Sequence, residues 1–337
     1  MRLSARAVAV GRRGLHTHTV RPGVALPLQH GGEIPADSFQ ITYATHGSSS
    51  EHATVFDNGR PIVYIMPSMS NTPFFVDSAA QGEKGWWNHV VGKGPKWGID
   101  LNRFNVICAS PIGSPFGSSS PLTTNAATGR AWGSTFPTIT PLDMARAHAV
   151  LLETLGLEKV FCVVGGSMGG MQALHFASEY PSMYDRCTAI ASTGHTSPGT
   201  VALRFVQRSA VMMNPKEGLR IARMIGTIGY RSRQEFDERF SWSADQMDNN
   251  VLSFDVERYL THQANLFEKR GYDVDCYQTL SKAMDLMQLE GDTMRRNIVQ
   301  SYGPGYLDEK EASVPNAAKD NNKKQVMLLP YSSDMLM

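Results

Sequence analysis

No acidic residue precedes Glu33, while Arg2, Arg6, Arg12, Arg13 and Arg21 stand in the same stretch beside Ser4, Thr17 and Thr19. Arginines interrupt every apolar run there, so the core of a secretory signal is missing. The composition is that of a mitochondrial transit peptide, with a disordered basic tail as the plain alternative. Long apolar runs are missing throughout, which excludes a membrane-spanning helix. Cysteine is scarce: Cys108, Cys162, Cys187 and Cys276 show no paired spacing. That excludes a disulfide framework or a cysteine metal site and points to buried thiols in a reducing compartment. An excess of one charge is also missing. The net charge is +1, so no general attraction to nucleic acid or to an anionic membrane is implied. No internal repeat is present. Histidine does not recur after His262, an absence that matters below.

What is there is organised around one stretch, Val160-Phe161-Cys162-Val163-Val164-Gly165-Gly166-Ser167-Met168-Gly169-Gly170-Met171-Gln172. Five apolar residues read as a buried parallel strand. A G-x-S-x-G run follows and then a helical run to about Ser178. Strand, tight turn and helix are the context a nucleophile elbow requires. Gly165 and Gly169 carry no Cβ, so two backbones can approach closely. Ser167 then stands at a helix N-terminus, where N–H groups and the helix dipole favour negative charge. The bland alternative is a glycine-rich turn holding an idle serine.

Around it the chain reads as α/β. Strands are expected at 39–44, 61–67, 104–109 and 188–192. Thr140-Pro141-Leu142-Asp143 opens a helix with an N-cap threonine, proline in the first turn and an early acid, and Gly156 ends it. Alternating strands and helices give a mostly parallel sheet. The loop Pro67-Ser68-Met69-Ser70-Asn71 follows an early strand. In such folds that loop supplies one oxyanion N–H and the residue after the nucleophile supplies the other, here Met69 and Met168. The turn-rich run 113–121 lies at a strand's C-terminal end, where open α/β sheets bind ligands. Trp86 and Trp87 either line a ligand channel or simply pack. The expected organisation is a leader over 1–36, a core over 37–199, a helical lid over 200–307, a polar loop over 308–324 and a return to the core over 325–337.

The motifs Gly85-Trp86-Trp87, Gly113-Ser114-Pro115-Phe116-Gly117-Ser118, the elbow octet 165–172, Val206-Gln207-Arg208, Gly218-Leu219-Arg220-Ile221-Ala222-Arg223, Tyr230-Arg231-Ser232 and Ser333-Asp334-Met335-Leu336 resemble the homoserine O-acetyltransferase family. These are α/β-hydrolase-fold acyltransferases acting on homoserine or serine, in methionine and cysteine biosynthesis. The resemblance runs from about Phe39 to the last residue. It implies Ser167 as nucleophile, Asp334 as triad acid, and Arg223 with Tyr230 as the residues holding the amino-acid substrate. It also implies acetyl-CoA or another acyl-CoA as a substrate, with no bound cofactor or metal, and a homodimer formed through the lid. A mitochondrial address tilts the acceptor towards serine. Where homoserine-specific relatives often carry Arg-His-Ser, this chain has Thr193-Gly194-His195-Thr196-Ser197-Pro198.

In the family the triad base is a histidine on a loop well downstream of the Asp334 position, followed by a strand and a helix. Residues 1–337 are therefore expected to be truncated relative to the family, to lack the base, and to transfer acyl groups poorly. His195 is the first substitute to consider. His175 reads as a helix-face residue and His262 as lid structure. An esterase on the same fold and a non-catalytic truncated isoform are the competing readings.

Overall fold

The computed structural model describes residues 16–46, 56, 59–78, 82–240, 242, 246–248, 251–269, 271–289 and 325–329. The chain divides into two compact units, a sheet unit ending at His195 and resuming at Met287, and a helical unit over Thr196–Leu286.

The sheet unit is built on seven strands: β1 (His16–Val20), β2 (Ile41–His46), β3 (Ile62–Met66), β4 (Asn105–Ala109), β5 (Val160–Gly166), β6 (Tyr184–Ile190) and β7 (Gln325–Leu329). Their spatial order is β1-β2-β4-β3-β5-β6-β7. β1 and β2 pair antiparallel, as do β2 and β4. The remaining neighbours are parallel. Central strands read as continuous apolar runs because both faces are covered. Every residue of β4 is buried, and so are Val63 to Met66 of β3. One core cluster gathers Ala44, Val63, Ile65, Phe75, Val106 and Val164, with Trp86 and Trp87 packed against it.

Helix α1 (Pro141–Thr154) begins as its sequence dictates. Thr140 and Asp143 form a reciprocal capping box with Pro141 in the first turn. Asp143 is fully buried and also accepts from the backbone N of Gln29 at 2.7 Å and from Arg146 at 3.2 Å. The helix closes at Leu155, and Gly156 follows at φ +69°. Helix α2 (Met168–Glu179) follows β5 and packs on α1.

Two boundaries move from those the sequence suggests. The leader cannot run to residue 36, because β1 pairs with β2 and Val20, Leu26 and Ile34 are buried. Residues 16–36 belong to the fold; the basic composition of the first residues carried the leader reading too far. The helical unit also starts earlier than 200, with Thr196 buried and its hydroxyl donating to the carbonyl of Met284 at 2.7 Å. The polar loop expected over 308–324 lies outside the described residues.

The helical unit comprises α3 (Pro198–Met213), α4 (Pro215–Gly229), α5 (Arg233–Arg239), α6 (Asp255–Lys269) and α7 (Val274–Asp285). A short antiparallel hairpin, Gln246–Asp248 with Val251–Ser253, interrupts them. Side chains of Ser197, Asn214, Ser232 and Asp273 cap α3, α4, α5 and α7. α3 and α4 meet closely at Gly218, where a Cβ would stand 2.1 Å from the carbonyl oxygen of Ala210.

Candidate active site

Ser167 is exposed and sits between β5 and α2 with φ 55° and ψ −123°. A non-glycine residue in this region stores about 1–3 kcal/mol of strain and persists only where its surroundings over-determine it. They do so here. The Ser167 N–H donates to the carbonyl of Ile190 at 2.9 Å. Its carbonyl accepts from the backbone N of Gly170 and of Met171 and from Ser192 Oγ at 2.9 Å. The glycines are steric requirements. A Cβ on Gly165 would lie 2.1 Å from the Gly169 carbonyl oxygen, and one on Gly169 would lie 2.0 Å from that of Met66. α2 can thus start against the end of β3 only without side chains at those positions.

This contact brings the two expected oxyanion donors into one neighbourhood. Met168 is the first residue of α2, so its N–H has no intrahelical partner. Met69 lies on the loop leaving β3, which closes with an Asn71 N–H to Ser68 carbonyl bond of 3.2 Å. Gln172, fully buried on α2, ties the two strips together. Its Nε2 donates to the carbonyl of Met168 at 3.1 Å and to that of Pro67 at 3.3 Å.

Among the described residues no imidazole bonds to the Ser167 hydroxyl. His175 is buried on α2, and burial, with Arg146 nearby, pushes its ring down to about 4. His195 is exposed on a loop whose backbone bridges to Gln288. His262 is exposed on α6. Asp334 lies outside the described residues.

Arg223 and Tyr230 belong to the helical unit and share one face of α4, seven positions apart. Arg223 is half-buried, its guanidinium 5.6 Å from the Phe267 ring centroid, and its Nε is buried with no hydrogen-bond partner among the described residues. An unpaired buried guanidinium nitrogen is costly unless something else satisfies it. Tyr230 caps α4 and is half-exposed. Their surroundings come from distant parts of the chain and leave no local pattern to read. Asp285 binds Arg208 at 2.6 Å and Arg204 at 3.3 Å, and Arg208 also donates to Ser281 Oγ at 3.0 Å. Burial pushes the Arg204 guanidinium down from its ordinary value, and Tyr277, coupled to Tyr230 and all three arginines, is pushed up by burial. Two guanidiniums, of Arg204 and Arg208, thus share the Asp285 carboxylate.

Two stretches expected near a ligand are also held by bonds of their own. The loop 113–121 is a structural clamp: Ser118 Oγ accepts from the Thr42 N–H at 3.0 Å and Ser119 Oγ from that of Gln40 at 2.9 Å. Both hydroxyls donate onward to backbone carbonyls, of Ser110 and Ser38. Trp86 and Trp87 stack on each other at 4.9 Å, and the Trp86 indole donates to the carbonyl of Thr72 at 2.8 Å. The cysteines are free thiols, with Cys108, Cys187 and Cys276 buried. Among the described residues no group of side chains is suited to a metal ion, and no helix is long and apolar enough to cross a membrane.

Residues 86–250 match the alpha/beta hydrolase fold family. The chain is 36% identical over 263 residues to the homoserine O-acetyltransferase of Citrifermentans bemidjiense, covering 73% of this chain and 69% of the relative. It is 33% identical over 313 residues to the serine O-succinyltransferase of Litchfieldella anticariensis, covering 87% and 81%. The crystal structure of homoserine O-acetyltransferase from Staphylococcus aureus superposes with a TM-score of 0.68 at 24% identity, over 99% of this chain and 81% of that one. The strained Ser167 elbow agrees with these likenesses, and the chain belongs to the homoserine O-acetyltransferase family of α/β-hydrolase-fold O-acyltransferases.

Proposed function

We propose that the protein transfers an acyl group, acetyl by default, from the thioester of an acyl-CoA to the side-chain hydroxyl of serine or homoserine. The single observation that carries this reading is the backbone of Ser167, strained and exposed at the head of α2. Its hydroxyl attacks the thioester carbonyl carbon while a base accepts its proton. The carbonyl oxygen becomes an oxyanion, and the N–H groups of Met69 and Met168 are the donors for it. The C–S bond then breaks and CoA departs as the thiol. The acceptor hydroxyl attacks the acyl carbon and gives up its proton to the base; the bond from that carbon to Ser167 Oγ then breaks, the serine oxygen takes the proton back, and the new ester leaves. The base is assigned to no described residue, and Asp334 is the proposed acid that orients it.

Arg223 is the proposed partner of the acceptor's α-carboxylate, through a bidentate pair. Its buried, unpaired Nε supports this role. The exposed apolar residues Phe205, Met212 and Met213 of α3 suit a pairing of two copies through the helical unit. The basic composition before residue 16 supports a mitochondrial address. With the acceptor absent, acetyl-CoA should leave one acetyl group on the peptide carrying Ser167, detected by mass spectrometry of the full chain. Ser167→Ala should take no label, and in a chain that also carries the triad base it should lose about a million-fold in turnover. Labelling of another residue, or turnover surviving the substitution, would refute the acyl-serine route.

A further inference from the structure

The polar chain behind Gln172 is built from three elements and has no role in the scheme above. Tyr64 on β3, His148 on α1 and Gln172 on α2 are all buried, none more than 1% exposed. Tyr64 Oη lies 2.8 Å from His148 Nδ1, and His148 Nε2 lies 2.7 Å from Gln172 Oε1. The proton positions follow from bonding capacity. The Gln172 amide spends its N–H bonds on two carbonyls, so its oxygen faces the ring and only accepts. His148 must then carry its proton on Nε2, and Nδ1 accepts from the Tyr64 hydroxyl. Burial pushes the ring down to about 4, so it is neutral near pH 7 and this tautomer is available.

The two carbonyls at the end of the chain are not arbitrary. One belongs to Met168 itself. The other belongs to Pro67, at the start of the loop that carries Met69. Gln172 therefore clamps together the two strips of backbone whose N–H groups serve the oxyanion. We propose that Tyr64, His148 and Gln172 form a positioning relay that sets the spacing of the Met69 and Met168 amides. The proposal rests on the acyl-serine reading. A preorganised donor pair is worth having because the oxyanion forms at one place and misplacement by a fraction of an ångström weakens both bonds. Gln172 is a positioning residue, since it reaches the reacting atoms only through backbone.

The test compares an oxygen ester with its thiono counterpart in the full chain, a p-nitrophenyl acetate and the matching thionoacetate. An aligned oxyanion hole favours oxygen over the larger, weakly accepting sulfur, and a loosened one loses that preference. Gln172→Met keeps the volume and removes the three bonds that Gln172 makes. It should lower kcat on the oxygen ester by about a hundredfold, the size of losing one oxyanion donor. KM should stay within about twofold and the oxygen-over-sulfur preference should collapse. His148→Gln, whose amide can still accept from Tyr64 and donate to Gln172, should recover most of the rate. If Gln172→Met does not fold, Tyr64→Phe removes one hydroxyl and should show the same loss of preference with a smaller fall in kcat. Wild-type kcat in the folded variant, or an equal slowing of both esters, overturns the relay. Ser167→Ala separates the two claims: if it still turns over, the acyl-serine reading fails. If it is inert while Gln172→Met behaves as wild type, the relay alone fails.

Discussion

In the sheet unit the proposed reactive centre is made of backbone. Ser167 is held at a φ of 55°, the proposed oxyanion donors are main-chain amides, and glycines let the two strips of backbone meet. Its buried polar relay is neutral and closed, with every donor matched to an acceptor. In the helical unit the corresponding groups are long side chains. Arg204 and Arg208 are paired to the one carboxylate of Asp285, and the Nε of Arg223 is left without a partner. The difference follows from the tasks. Stabilising an oxyanion needs donors fixed to within a fraction of an ångström, which backbone provides. Holding a carboxylate needs charge and a fork of donors, which arginine provides at the end of a flexible stem.

The sharpest way to break the first half of this contrast is Gly169→Ala. The added Cβ would lie 2.0 Å from the Met66 carbonyl oxygen, a backbone atom of a central strand. No side chain can turn away to make room. The loss should exceed the ~3 kcal/mol usual for overpacking, so that little soluble protein is recovered and that fraction is inactive. Gly199→Ala is the control, because nothing lies within 4 Å of its position. Equal yields for the two variants would show that the close approach is not required.

The second half is tested by Asp285→Ala. Its carboxylate is 3% exposed and binds two arginines that are themselves mostly buried. Removing it leaves two guanidiniums uncompensated, a loss of about 3–5 kcal/mol. The damage should be confined to the helical unit. Acylation of Ser167 by a small activated ester should persist in the cold while the urea midpoint falls. An unchanged midpoint would mean that the cluster is satisfied by water and is not an ionic core.

How much of this was legible beforehand divides along the same line. The elbow could be read because strand, glycine spacing and helix are local, and backbone chemistry leaves a local imprint. The capping box at Thr140 and Asp143 is local too. The relay of Tyr64, His148 and Gln172 was missed because its members are far apart in sequence and each looks ordinary on its own element. The only hint was a glutamine closing the elbow octet, four residues after Met168 and so on the same helix face. The serines of 113–121 are half-legible for a related reason: composition shows hydroxyls at a strand end, but not that Ser118 and Ser119 bond to the backbone of Thr42 and Gln40. β1 was lost inside the leader because its His-Thr-His-Thr alternation is polar. Its partner strand, with Thr42 Oγ1 at 2.7 Å from Thr19 Oγ1, explains why that alternation is stable.

The smallest effect expected is a pH dependence that belongs to the sheet unit. His148 on α1 and His175 on α2 are both pushed down from 6.5 to about 4, in each case mainly by burial. The Gln172 bond opposes the shift at His148, and Arg146 adds to it at His175. Above the unfolded value both states are neutral and neither histidine affects stability. Between about 6.5 and 4 the unfolded chain binds a proton at each site and the folded chain does not, so stability falls as pH falls through that window. Near pH 5 the loss should be about 2 kcal/mol per histidine. Asp143, raised by burial, works weakly in the other direction near its own range. Urea midpoints taken near pH 7.5 and near pH 5 measure the slope, and His175→Gln should remove about half of it. His148→Gln should remove the other half while leaving the relay bonded. A midpoint that does not move between the two pH values would show that the rings take up protons in the folded state. The neutral character of the sheet unit's polar core would then be wrong.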